Sequence, residues 1–428
     1  MRRIRNPILR RMVANPAVHK LLLFFSVFGP ATITAMADND AGGVATYSVA
    51  GATLGYPILF VLLIITILLA VTQEMGMRLT LVTRRGLADL IRERWGVRGS
   101  VLIFAALLIA NLGTITLDFA AVKTTSAMLN IPVIPFIVAI SIVAIILVTR
   151  GNYKLTQGLM LVTSLFYLAY IISAVKAKPD WGLALSNLVY PNGVDFTPAY
   201  LKQYLLIGMG VLGTTITPWG QFFISSFAFD KNIDAEKIRF SQLETYVGAF
   251  LTDFFSFFMI VATAATLFVN KIPLTSGEAA ARAIEPFAGR IAGTLFALGI
   301  LNAGFMGLIV VALSTAYAFT EFFGLSGSLD SNYKQSKPFY MLFIGQVILA
   351  AGLALIPGVS LFKLAIITQT INAVALPLVF YYLIRLTSSK SLMGKYSNNA
   401  FQKWFAIIGS VVIFIASTMA LAAIFFRI

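Results

Sequence analysis

The chain has 428 residues, of which 59% are hydrophobic and only 11% charged, less than half the charged share of a soluble domain, so a soluble globular protein is excluded. It has no cysteine and a single histidine, His19, which excludes disulfides, thiol catalysis, thiolate metal ligands and histidine relays inside a membrane. The formal charge of +15 lies mainly between apolar segments, where positive-inside topology and anionic lipid account for it, so no nucleic-acid partner is expected.

The amino terminus, MRRIRNPILRR, is basic but lacks an adjacent small-residue cleavage site, and reads as a cytoplasmic tail rather than a signal peptide. Apolar runs of membrane length then recur eleven times, at about 21–49, 52–81, 99–127, 130–148, 153–175, 202–228, 243–269, 289–320, 338–356, 361–386 and 403–427. The expected fold is an all-α polytopic membrane protein with one integral domain, 1–428. A first repeat covers 21–175 (helices 1–5), a second covers 202–386 (helices 6–10), and an eleventh helix follows at 403–427. Spans 1 and 2 are expected to join tightly through Gly51 and Gly55-Tyr56-Pro57.

The loops RLTLVTRRGLADLIRERWGVRG, TRGNYK, DKNIDAEKIRF, SLDSNYKQSK and RLTSSKSLMGKYSNNAFQK are basic or mixed. The loop Lys176 to Thr197 is longer and holds Asp180 and Asp195. This alternation places the amino terminus in the cytoplasm and, after an odd count, the carboxyl terminus outside. A multi-pass protein of the bacterial inner (cytoplasmic) membrane, monomeric and without a cofactor, is the expectation.

Two spans are interrupted. Span 1 breaks at TAMADNDAGGVAT, with Asp38 and Asp40 near its middle and Ala41-Gly42-Gly43 after them. A carboxylate inside a membrane costs several kcal/mol, so such groups face a protein interior or a solute path. Span 6 reads GMGVLGTTITPWGQFFISS, with Pro218 and Gly220 beside Thr214, Thr215, Thr217 and Gln221. Proline removes a backbone donor and disfavours helix just before itself, and glycine eases unwinding. Breaks five spans apart point to a 5+5 inverted repeat with a midplane solute site. Kinks used only for close packing are the plainer alternative.

At these residues the chain resembles the NRAMP family of divalent-metal transporters, which have a LeuT-like fold. The family's GPG…DPGN pattern corresponds to Gly29-Pro30 through Asp40-Ala41-Gly42-Gly43, and VATYSVAGATLGY and residues 75–96 continue the likeness. Gly213-Thr214-Thr215-Ile216-Thr217-Pro218-Trp219 resembles its GATxMPH segment, and Gln369 and Leu376-Pro377 match span 10. The resemblance implies a divalent-metal site at Asp40, with the backbone carbonyls of Ala37 and Thr214 as further ligands. The family's asparagine ligand is Gly43 here, and its methionine ligand is Thr217. A thioether favours softer metals. Losing it together with the amide leaves a roomier oxygen site suited to Mg²⁺, which often keeps several waters. This points to the NRAMP-related magnesium transporters, with Mn²⁺ also carried.

Asp38 is a further candidate, acting on the ion directly, through water, or as a gating carboxylate. Trp219, in place of a family histidine, either donates Nε1–H to a water ligand or only packs. Gln221, Gln369 and Asn372 are candidate polar lining, with interhelical hydrogen bonding as the competing explanation. The implied proton coupling is not supported by the residues. Ile224 replaces the buried span 6 histidine, the span 3 D-x-x-E is Asp118-Phe119-Ala120-Ala121, and Asn111 replaces a further acid. Asp118 binds a proton alone or is a satisfied polar group, with Lys123 as its possible partner. The expected function is uptake of partly hydrated Mg²⁺ by alternating access without proton coupling. The alternatives are a proton-coupled Mn²⁺/Fe²⁺ transporter, or an amino-acid or organic-cation transporter on the same fold.

Overall fold

The computed structural model describes residues 29–425, except 152, 232, 234–236, 275–290 and 332. The basic tail, His19 and the first residues of span 1 lie outside the described residues. Fifteen principal helices follow in order. Span 1 is two helices, α1 (Pro30–Ala37) and α2 (Ala41–Leu54); span 2 is α3 (Ile58–Thr83) and span 3 is α4 (Leu87–Met128). Span 4 is α5 (Val133–Arg150). Span 5 is α6 (Tyr153–Thr163) and α7 (Leu168–Lys176), joined by a 3₁₀ turn at Ser164–Tyr167. A short helix α8 (Trp181–Val189) precedes span 6, which is again two helices, α9 (Pro198–Thr215) and α10 (Pro218–Asp230). Then come α11 (Ile238–Thr263, extended by a π turn to Phe268), α12 (Ile291–Phe323), α13 (Lys337–Ala354), α14 (Leu361–Thr387) and α15 (Ala400–Phe425).

Nine helices among the described residues are long and apolar enough to cross a membrane. The two broken spans complete the expected set. The broken helices pack at the centre, α1 and α2 against α11, and α10 against α3 and α12, while α4 lies along α12 and α14. Large apolar side chains on α5, α13 and α15, such as Val143, Ile348 and Phe414, stay exposed on the outer flank where lipid replaces water as their solvent.

Three expectations about boundaries change. Gly51 lies inside α2, packed against Thr263 and Ile260, and the joint between spans 1 and 2 is Gly55-Tyr56-Pro57 alone. The loop between spans 2 and 3 is almost entirely helical, because Leu87, Ala88, Leu90 and Ile91 bury one face. Its chain turns at Gly96 (φ 73°), so the membrane-length part of α4 starts near the expected residue 99. The long loop before span 6 contains α8, capped by Asp180 accepting from Leu183 N at 2.9 Å.

At the end of the bundle that carries the basic loops, buried carboxylates tie segments together. Glu244 of α11 accepts from Gly29 N (2.6 Å), Thr32 N (3.1 Å) and Thr32 Oγ1 (3.2 Å), so it caps the start of α1. An acid there complements the helix dipole. Just past α10, burial pulls the Lys231 ammonium down to about 8 against the attraction of Glu244. Glu321 of α12 accepts from Ser226 Oγ (2.6 Å) and Ala88 N (3.2 Å). Glu74 and Arg78 of α3 form a buried two-point ion pair (2.7 and 3.0 Å). Arg78 also donates to Tyr396 O and Asn398 Oδ1, while Gln242 and Gln402 donate to Glu74.

Removing one partner of such a pair strands the other charge. Arg78→Ala is therefore expected to lower stability by about 3–5 kcal/mol, read as an earlier thermal unfolding transition in detergent. Arg78→Lys keeps the charge but loses the fork, and should fall between the two.

Candidate functional site: the two helix breaks

Span 1 unwinds because its middle offers better partners than an i→i+4 ladder. α1 ends at Ala37, Asp38 and Asn39 form a turn, and Asp40 is extended (φ −59°, ψ −177°). Asp40 Oδ1 then accepts from Gly43 N at 2.7 Å and caps α2. The carbonyls released by the break are met from span 5, where Tyr167 OH donates to Asn39 O at 2.8 Å and Met36 O at 3.2 Å. Asn39 fastens the turn to α11: its Nδ2 donates to Thr252 O (3.0 Å) and Oγ1 (2.8 Å), and its Oδ1 accepts from Ser256 Oγ (2.9 Å). The break is thus a fixed structure with its backbone largely satisfied.

Span 6 breaks at Ile216 and Thr217, both extended, and Pro218 opens α10. Thr217 Oγ1 accepts from Gly220 N (3.0 Å), capping α10, and donates to Asp38 Oδ1 (3.3 Å). One hydroxyl therefore links the two breaks. Asp38 Oδ2 accepts from Gln73 Nε2 of α3 at 3.2 Å. The amino-terminal ends of α2 and α10 both meet this acidic centre, and their dipoles favour its negative charge.

Asp40 is held from another flank. A Cβ on Gly307 of α12 would lie 2.6 Å from Asp40 Cβ and 2.6 Å from Asp118 Oδ2, so only glycine lets these two acids sit together. Asp118 Oδ1 accepts from Ala41 N at 3.3 Å. Asp38, Asp40 and Asp118 are all at most 1% exposed. Among the described residues no group of three or more His, Cys, Asp and Glu side chains converges as a ready-made metal cage.

The other candidates divide into two groups. Near the breaks, Ala37 O accepts from Asp40 N (3.0 Å). A Cβ on Gly43 would lie 2.6 Å from Asp38 O and 3.4 Å from Thr214 Oγ1, so the site has no room for a side chain at 43. Gln369 Nε2 meets the backbone at Gly42. Gln221 Nε2 donates to Thr72 Oγ1 at 3.4 Å. Five buried atoms of this group have no hydrogen-bond partner among described residues: Thr214 Oγ1, Gln221 Oε1, Gln369 Nε2, Gln73 Oε1 and Trp219 Nε1. Orphaned polar atoms around two carboxylates suit a hydrated ion or ordered water. One step back, Asn372 donates to Gln369 Oε1 (2.7 Å) and to Thr114 Oγ1 (3.2 Å), so it orients Gln369 across helices. Trp219 is fully buried with its ring edge-on to Phe223.

Lys123 is not the partner of Asp118. Its Nζ donates to the carbonyl of Ala354 (3.1 Å) at the end of α13. Residues five apart on a helix point away from each other, whereas three or four apart face together. Ile224 sits in a separate apolar cluster with Met77 and Leu81, and Asn111 donates to Thr315 Oγ1 at 2.7 Å. Gln73, Asn39, Tyr167 and Gly307 are contributors that the sequence reading missed.

This architecture of broken central helices is that of the LeuT-fold transporters. The manganese transporter of Eremococcus coleocola superposes with a TM-score of 0.77 at 18% identity, covering 96% of this chain and 88% of that one. A Na⁺-coupled sialic acid symporter superposes at 0.60 and 15% identity, covering 91% and 88%. Within that class the chain belongs to the natural resistance-associated macrophage protein-like (Nramp) family, whose pattern matches residues 31–423. A divalent metal cation transporter, MntH, of Verminephrobacter eiseniae is 25% identical over 390 residues, 87% of this chain and 83% of that protein.

Proposed function

We propose that the chain carries oxygen-seeking divalent cations, Mn²⁺ and Mg²⁺, across a bacterial inner membrane by alternating access, with the ion keeping part of its water shell. Mn²⁺ is the substrate that the relatives favour, because MntH is named for divalent metal cations and the E. coleocola protein for manganese. Mg²⁺ is added on the strength of one observation. Thr217, where the family resemblance places a thioether, is a hydroxyl bonded to Asp38. The candidate ligand atoms described at the breaks are then carboxylate, hydroxyl, amide and carbonyl oxygens, a set that suits hard cations. The carboxylates of Asp38 and Asp40 are held from different flanks, and retained water spans what neither reaches directly. Ala37 and Thr214 offer carbonyls, and Gln221, Gln369 and Trp219 hold the water.

The amino terminus is assigned to the cytoplasm. In this reading the carboxylate ties at the basic end, above all Glu244 on the start of α1, hold the inner side closed, and α1 must leave Glu244 for inward release. An inside-negative potential supplies about 4.6 kcal/mol per 100 mV for a divalent ion, twice the single-charge value, so influx needs no second gradient.

Proton coupling is a second reading, and Asp118 favours it. The carboxylate lies against Asp40, and its Oδ2 has no partner among described residues. Liposome uptake decides between the two. Purified protein should admit both Mn²⁺ and Mg²⁺ when the lumen is held negative. Unchanged luminal pH supports uniport, whereas acidification that scales with metal flux and disappears in Asp118→Asn establishes coupling. Absence of flux for both ions rejects the proposal.

A further inference from the structure

A cavity of about 210 Å³ lies apart from the two breaks, between α3, α8 and α11. Its wall is Leu62, Leu63 and Thr66 of α3, Leu185 and Leu188 of α8, and Phe250, Asp253, Phe254 and Phe257 of α11. Leu63, Leu185, Phe250 and Phe254 are exposed on the outer flank, so the cavity opens toward lipid. Asp253 sits at its buried side with only 4% exposure, its carboxylate oxygens just beneath an otherwise apolar wall, so an amine reaches them by a small turn of the side chain.

This carboxylate is unlike the others. Glu74, Glu244 and Glu321 each accept from a helix end or an arginine. No hydrogen bond of ordinary geometry reaches either oxygen of Asp253 from a described residue, although the Thr66 hydroxyl lies beside the carboxylate as a donor. Thr66, the other polar group in the wall, donates to Leu62 O at 2.8 Å. A buried acid without a partner is costly in its charged form, so it either holds a proton or pairs with a cation, and a cation that reaches it gains the pairing. The surroundings choose which cation. A hydrated metal ion would lose water in this apolar cavity and gain one acid in return, whereas an ammonium carrying an apolar tail satisfies every wall. The ammonium pairs with Asp253, the phenylalanine faces attract the cation, and the tail fills the leucine side.

We infer that this cavity is a binding site for small hydrophobic amines, reached through the membrane flank and separate from the ion site. Asp253 is also among the charged groups that bear on Asp38, so a cation held there opposes metal arriving at the breaks. Amine binding should therefore raise the KM for metal severalfold without occupying the ion site.

The probe is phenethylamine, with 2-phenylethanol as its neutral counterpart, added to the full-length protein in lipid nanodiscs. Calorimetry should show saturable amine binding and at least about tenfold weaker binding of the alcohol, the worth of a charge-assisted bond. Asp253→Asn should lose a similar factor for the amine and still transport metal. If that variant does not fold, Leu63→Trp narrows the mouth and keeps the acid, and should block the amine. Equal binding of amine and alcohol, or undiminished amine binding in both variants, overturns the inference. So does loss of metal flux in a folded Asp253→Asn protein, which would put Asp253 on the ion path.

Discussion

Asp40→Asn should abolish metal uptake while leaving the protein folded. Asp40 has two tasks that this substitution separates. Its Oδ1 caps α2 by accepting from Gly43 N at 2.7 Å, and asparagine caps about as well as aspartate. Stability should change little, and the break should keep its shape. The charge is lost, however, in a centre where Asp40 is one of two acids bearing on the ion. Outer partners of metal ligands alone cost about 10–100-fold when removed, so loss of a direct carboxylate should cost about 100-fold or more in uptake. Asp40→Ala removes cap and charge together and should also destabilise the protein by about 1 kcal/mol. Uptake rates set beside thermal unfolding of both variants distinguish the tasks. Normal uptake by a folded Asp40→Asn protein would remove Asp40 from the ion site.

The breaks were legible because they are written locally. Asp-Asn-Asp followed by Ala-Gly-Gly, and Thr-Ile-Thr-Pro, each carry their own caps and their own reason not to continue a helix. The caps proved to be the candidate ligands themselves, since Asp40 and Thr217 each hold the first turn of the helix that follows. What escaped was every partner supplied from another helix. Gln73 reads as a stray polar residue in an apolar run, and only the packing of α3 against α10 brings it to Asp38. Tyr167 sits in an ordinary-looking span, yet its hydroxyl meets the carbonyls that the break releases. Gly307 gives no signal in a helix rich in small residues, because its use is the space it leaves for Asp40 and Asp118. Asp118 and Lys123 do not pair for a simpler reason: five residues apart on one helix, they face different sides, and Lys123 turns to Ala354 O instead.

Thr217→Met should shift preference toward softer ions, and the structure fixes what that shift costs. The Thr217 hydroxyl accepts from Gly220 N and donates to Asp38, which leaves one lone pair for an ion or its water. Methionine replaces this with a thioether, a ligand for soft metals and a poor one for Mg²⁺. It also uncaps α10, at about 0.5–2 kcal/mol, and frees Asp38 Oδ1. Uptake of Cd²⁺ relative to Mg²⁺ should therefore rise by about tenfold, corresponding to about 1.4 kcal/mol of preference, in a protein that unfolds earlier. Thr217→Ser retains the cap and the bond to Asp38 and should leave both selectivity and stability close to the parent. The pair of variants separates ligand chemistry from mere loosening of the break. A loosened break would admit all ions less selectively, whereas a new thioether should favour Cd²⁺ over Mg²⁺ at unchanged Mn²⁺ uptake. An unchanged Cd²⁺ to Mg²⁺ ratio in a folded Thr217→Met protein would place residue 217 outside the ion's reach and take away the ground for adding Mg²⁺ to the substrates.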